Sequence, residues 1–353
     1  LAQLKAINNA LGGALTLNDY TIDLSGSSED VAAALDGTFG GTYSGTATVD
    51  DAHTLAQLKT INNGTTGEIT LADYDVALVG STEDVKAALA GDFNSDYTGD
   101  VTLNDADEAN VNAADITTIE GDTTGDITVS NNINIKGTAA EVAAAVDDVD
   151  TFSGTPTATL SNAHTLAELK AINNAISGTI TLDNYSVALA GNSSDLAAAL
   201  AGTFAAAYTG NITITDADAT DIAATDITLI NAASTGTITV SNAIDINGSG
   251  SEVAAAFAAI DTNTGNATAN VTGTDYTVAQ LKAINNATTG AIVLTDATVA
   301  LSGSVSDIKS AFAGTITTHT GTITISDAST TDITATDITL INAASTGTIT
   351  VSN

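Results

Sequence analysis

The sequence has no cysteine, methionine, tryptophan or arginine, and Pro156 is its only proline. Lack of cysteine removes disulfides, thiolate metal sites and thiol redox chemistry. Without arginine, seven lysines (Lys5, Lys59, Lys86, Lys136, Lys170, Lys282, Lys309) face 42 acidic residues, for a formal charge of −35. That balance argues against a nucleic-acid partner, because phosphate contacts need Lys and Arg. An anionic membrane surface would repel the chain too. No apolar run has the length of a membrane span, and no signal-peptide pattern is present. Aromatics are scarce at 4%. A chain without methionine, beginning and ending inside repeats, reads as a processed form or a window cut from something longer.

Small aliphatic residues fill the gap: hydrophobic residues reach 43%, mostly Ala, Val, Ile and Leu. Such a composition suits a thin core repeated many times. The residues are indeed periodic. Asp226–Asn242 returns letter for letter as Asp337–Asn353, and a diverged copy occupies Asp115–Asn131, so Asn131, Asn242 and Asn353 close cycles 111 residues apart. The chain reads as one continuous array, with a partial cycle over 1–52, cycles over 53–163 and 164–274, and a truncated cycle over 275–353.

A shorter beat of about 28 residues divides each cycle. One unit type opens with a short helix, at Leu1, Leu55, Leu166 and Val278, ending on Asn-Asn, and continues into strands such as Ile69–Leu71 and Val76–Leu78. In the other type a capping side chain stands three residues before a carboxylate, as in Ser27/Asp30, Ser81/Asp84, Asn192/Asp195, Ser304/Asp307, Thr138/Glu141 and Ser249/Glu252. This is a helix N-terminus signature. Alanine-rich helices follow, then a strand such as Ile212–Ile214. No unit of this size buries its own apolar face, so neighbours must stack. The expected fold is an α/β solenoid of about thirteen coils, each a short helix with one or two strands. A row of separate α/β domains of 111 residues is the alternative. A strand adds about 4.8 Å to a stack and a helix about 8–10 Å, so a helix in every coil would splay the stack unless two strands accompany it.

Acidic turns are the candidate sites. Asp105 and Asp107 recur as Asp216 and Asp218, with Glu108 and Asp221 close by and Asp327 continuing the first position, although Asp107 corresponds to Ser329 in the last copy. Carboxylates one residue apart in a turn offer oxygens to Ca²⁺, which takes six to eight flexible oxygen ligands. Calcium is thus the one candidate cofactor, against the plainer reading that these aspartates start turns and cap helices. No calcium-loop or phosphate-loop motif occurs. Histidine points away from catalysis: His53 and His164 are equivalent, Tyr276 takes their place in the next copy, and His319 stands apart among threonines. Threonines two apart, as in Thr237-Ile238-Thr239, Thr322-Ile323-Thr324 and Thr348-Ile349-Thr350, share one sheet face. Such an array could serve ice binding or simply solvate the sheet. Asn8-Asn9, Asn62-Asn63, Asn173-Asn174 and Asn285-Asn286 are candidates for internal amide ladders. Sequons at Asn211, Asn266 and Asn286 leave glycosylation open.

The phrases at Thr54–Gly67, Ser25–Gly37 and Tyr208–Ala217 resemble the tandem repeats of very large secreted or cell-surface proteins of marine bacteria, across essentially the whole chain. That resemblance implies an extracellular adhesin, surface-layer or fibre role and no enzyme activity. The leading expectation is a structural protein of a filament, sheath or surface layer, self-associating end to end or laterally. The alternative is the stalk or binding region of a calcium-dependent adhesin that engages surface glycans or other cells.

Overall fold

The structure is a computed structural model describing residues 1–352. Asn353, the last residue of the third cycle, lies outside the described residues. The fold is α/β and repetitive. Thirteen helices occur among the described residues: α1 Ala2–Ala10, α2 Ser28–Leu35, α3 Leu55–Gly64, α4 Thr82–Leu89, α5 Ala113–Asp122, α6 Ala139–Asp148, α7 Leu166–Ala175, α8 Ser193–Leu200, α9 Ala224–Ala233, α10 Gly250–Ala259, α11 Val278–Ala287, α12 Val305–Ala311 and α13 Ala335–Ala344. None is long and apolar enough to cross a membrane. The chain divides into two compact units, 1–164 with 174–183, and 165–173 with 184–353. In the first, α1 to α6 pack each on the next; in the second, α8 to α13 do the same.

Four kinds of helix alternate. The first kind (α1, α3, α7, α11) carries the Leu-Lys-Asn-Asn pattern, and the second (α2, α4, α8, α12) follows a Ser or Asn cap. The third (α5, α9, α13) contains Asp-Ile-Thr, and the fourth (α6, α10) Glu-Val-Ala-Ala-Ala. The expected caps are formed: the side chains of Ser27, Ser81, Asn192, Ser304, Thr138 and Ser249 each accept the backbone N–H of the acidic residue three positions on. Thr54 and Thr277 add capping boxes with Gln57 and Gln280. Each helix then buries residues three or four apart, such as Leu58 and Ile61, Ile116 and Ile119, or Ile227 and Ile230, all at 0% exposure.

All strand pairs are parallel among the described residues and form sheets of three or four short strands. In Ala47–Val49, Val101–Leu103, Ile127–Val129, Ile212–Ile214, Ile238–Val240 and Ile323–Ile325 the outer two residues are buried and the central threonine faces outward. Three expected strands begin later than their sequence suggests. Val76–Leu78, Val187–Leu189 and Val299–Leu301 become Leu78–Gly80, Leu189–Gly191 and Leu301–Gly303. Each runs directly up to the cap of the following helix, so pairing starts where the cap fixes the chain.

The sheets are short because strands and helices keep different time. Paired strand residues lie 22 to 26 positions apart, as in Ala47↔Ile69 and Val101↔Ile127, whereas successive helices start 26 to 31 positions apart. Each rung therefore slips backward relative to its helix. In one sheet the strands are Asn110–Asn112, immediately before α5; Asn134–Gly137, just before α6; Thr157–Leu160, well before α7; and Ile180–Thr181, after α7 has ended. After three or four rungs the ladder has moved from the front of a helix to its back, and another begins. Two strands do accompany each helix, but in different ladders.

Candidate functional site

The polar residues singled out by the sequence converge on one task, fastening each coil to the next. At the start of the serine-capped helices, a carboxylate from the following coil takes the first backbone amide. Ser28 N–H donates to Asp51 Oδ1 at 2.7 Å, Thr82 N–H to Asp105 Oδ2 at 3.0 Å, Ser193 N–H to Asp216 Oδ2 at 2.7 Å, and Val305 N–H to Asp327 Oδ2 at 2.6 Å. An amide free at a helix start has no partner within its own helix, and a carboxylate there is also favoured by the helix dipole. The Ser28 amide and hydroxyl hold the Asp51 carboxyl below the usual carboxylate range.

Asp107 and Asp218 turn the other way. Each accepts an amide further along the chain, Asn132 N–H at 3.0 Å and Ala243 N–H at 2.8 Å. Asp221 accepts from the Asn247 side chain at 2.9 Å. The turns that carry these pairs hold Glu108 and Ala219 at φ of 63° and 56°, the left-handed region disfavoured for residues with a Cβ. Asp105 and Asp107 thus engage different coils, as do Asp216 and Asp218. Among the described residues, no three acidic or imidazole groups gather in a way that could hold a metal ion.

A second row of contacts joins consecutive helices at their starts. Lys5, Lys59, Lys170 and Lys282 each reach the aspartate in the first turn of the next helix: Asp30, Asp84, Asp195 and Asp307. Lys86 and Lys309 repeat this with Asp115 and Asp337. The lysine is the main reason that Asp84, Asp195 and Asp307 lie below their ordinary range, and the adjoining cap residue adds to it. Asp337 falls to about 2, chiefly through Lys309. The chain also contains its own control. Asp226 is the counterpart of Asp115 and Asp337, but Ala197 stands where they have lysine, and burial followed by Asp216 raises the Asp226 carboxyl instead.

The third row lies at the helix ends. The first asparagine of each pair donates to a carbonyl in the last turn of the next helix: Asn62 to Ala87 at 2.7 Å, Asn173 to Ala198 at 2.6 Å, Asn285 to Ser310 at 2.8 Å, and Asn8 to Ala34 likewise. The expected amide ladders are therefore replaced by side chain-to-carbonyl caps. One helix repeat is too long for successive amides to pair, and the unpaired carbonyls of the neighbouring helix are nearer. Glycine makes room for this cap. A methyl group at Gly202 would stand 1.7 Å from Asn173 Oδ1, and one at Gly314 would stand 2.1 Å from Asn285 Oδ1.

A column of aromatic rings completes the network. Tyr97 and Tyr208 donate to the Val76 and Val187 carbonyls at 2.5 and 2.7 Å, and Tyr43 does the same to Ile22. His319 is not a stray histidine but the next member of this column, with Nε2 2.8 Å from the Val299 carbonyl. One residue is missing from the loop ahead of it, which shifts its number and hides the equivalence. An open groove of about 640 Å³ lies beside this column, between the ends of α2 and α3 and bordered by Phe39 and Asn63.

No family model matches the sequence, and no curated protein matches it.

Proposed function

We propose that the chain is an extracellular structural repeat protein, part of a filament, sheath or surface layer, whose coils stack as an α/β solenoid within each unit. One observation carries this reading. The carboxylates, lysines, asparagines and tyrosines that recur through the cycle are spent on coil-to-coil fastening, at both ends of successive helices. A scaffold selected for regular extension needs that investment. The strong negative charge supports solubility in a saline medium, where self-repulsion is screened. The likeness to repeats of giant surface proteins of marine bacteria agrees with an extracellular, non-enzymatic role and with association between copies.

Sedimentation and electron microscopy over a rising concentration series test the proposal. Regular fibres or lattices, in native material or at high concentration, are the expected result. Discrete particles of constant mass under every condition, native material included, would overturn it.

A further inference from the structure

All three histidines of the chain occupy the tyrosine–histidine junction of the cycle, and the geometry fixes the protonation of two. His53 is 4% exposed, with Nε2 3.0 Å from Tyr97 Oη. The Tyr97 hydroxyl has one proton and donates it to the Val76 carbonyl. Nε2 of His53 must then carry its own hydrogen and donate it to Tyr97. This leaves Nδ1 bare, and Nδ1 is buried without a partner.

In the last cycle the two residues trade places. Tyr276 stands in the position of His53 and donates to the Asp296 carbonyl at 2.6 Å. His319, at 0% exposure, stands in the position of Tyr97. Its Nε2–H donates to Val299, the counterpart of Val76, and its Nδ1 is again buried without a partner. His164, 4% exposed, is the 111-residue counterpart of His53. An exchange that retains one imidazole and one phenol preserves an ionisable group at the junction, even as the shape of each position changes.

We propose that these buried histidines form an acid-sensitive latch between successive coils, closed by the neutral Nε2–H imidazole and opened when Nδ1 takes up a proton. This adds regulation to the structural role and stands independently of self-association. The groups facing His53 are Asp51, Asp73 and Tyr97; those facing His319 are Asp296, the Val299 carbonyl and the Phe312 ring. Burial pushes both imidazoles below their ordinary value, against the pull of those carboxylates. A proton on Nδ1 would find no acceptor, so the folded state resists one that the unfolded chain accepts near pH about 6.5. The latch therefore contributes fully above about pH 6.5 and loses strength as pH falls below it. Carboxyls raised by burial (Glu120, Asp122, Asp226) act with the opposite sign, gaining stability in acid.

The test compares melting of the wild type and the H53Q/H164Q/H319Y variant between about pH 7.5 and about pH 5.5. Glutamine keeps an N–H donor, and tyrosine at 319 restores the residue found at 97 and 208. The wild type is expected to melt lower in acid, its unfolding constant rising by up to about tenfold per pH unit for each histidine, and the variant to hold constant. No wild-type loss, or an equal loss in the variant, would overturn the latch. If the variant does not fold, long-range ¹H–¹⁵N spectra of the wild-type imidazoles decide. Persistent Nε2–H tautomers up to the point of unfolding support the latch, and folded-state protonation of Nδ1 near pH about 6.5 refutes it.

Discussion

The Asn173–Gly202 contact gives the sharpest test of the coil-to-coil network, because its two halves make opposite demands. Asn173→Ala removes the 2.6 Å hydrogen bond to Ala198 and leaves a helix-end carbonyl unpaired, a loss of about 1 kcal/mol. Gly202→Ala places a methyl group 1.7 Å from Oδ1 of the same asparagine, with no other residue among its three nearest atoms. No described glycine has positive φ, so alanine meets no backbone strain there and its cost is overpacking, about 1–3 kcal/mol.

In the Asn173→Ala background that methyl group has room. Replacing glycine should then help by about 0.4–1 kcal/mol, through the entropy of the unfolded chain. The double variant is thus expected to be no less stable than Asn173→Ala alone, with a coupling energy of roughly 2 kcal/mol. Arrays of stacked coils can unfold in parts, so urea melts should be read alongside hydrogen exchange of the α8 amides. Additivity of the two single changes within about 0.5 kcal/mol would refute the argument that Gly202 exists to seat Asn173.

Other outcomes follow from the same network. Ala197→Lys should restore the missing partner of Asp226, turning that carboxyl from raised to lowered; the added stability would be present above about pH 4 and disappear as pH falls, and a pH-independent melt would contradict it. Ala219→Gly should raise stability by about 0.5 kcal/mol, because the left-handed backbone costs alanine about 1–2 kcal/mol and glycine returns part of that in unfolded-state entropy; a lower melting temperature would oppose this account. Asp216→Ala should cost about 1 kcal/mol by stripping the Ser193 amide of its acceptor, and Asp216→Asn much less. Since the acidic turns already hold backbone amides, excess EDTA is expected to leave melting unchanged, and a clear drop would establish a metal there and favour the calcium-dependent reading.

Local chemistry was the legible part of this sequence. A serine three residues before an aspartate specifies a cap wherever it occurs, and six such pairs formed caps. Apolar–Thr–apolar triplets specify a half-buried strand, and Ile212–Ile214 and Ile238–Val240 obey. Partner choice was not legible, because it depends on offsets between different elements. The Lys59–Asp84 pair spans 25 positions, a distance set by the helix-to-helix step rather than by either residue. The signal was present nonetheless, in a lysine one turn into each Leu-type helix and an aspartate in the first turn of the next. His319 escaped notice because a single deletion broke the arithmetic that linked it to Tyr208.

The slip between strands and helices also bears on why identity returns after 111 residues rather than after one coil. If every coil were in the same phase, one unit type would suffice. Since each ladder drifts across its helices, a coil that starts a ladder and one that ends it need different sequences, and the pattern closes only when the ladders restart. The chain supplies its own precedent: α2, of the second kind, is followed directly by α3, of the first, whereas α5 and α9, of the third kind, are each followed by the fourth. Deleting residues 107–163 would join Ala106 to His164, reproducing the Asp51-Ala52-His53-Thr54 passage that leads into α3. That variant is expected to melt cooperatively, within a few degrees of the parent. Removing only residues 138–164, the coil of α6, makes the chain shorter by less, yet sets a third-kind helix against a first-kind one and leaves the ladders out of phase. It should lose cooperative melting or fall sharply in stability. If both deletions fold equally well, the ladders impose no phase on the sequence, and the longer period has another origin.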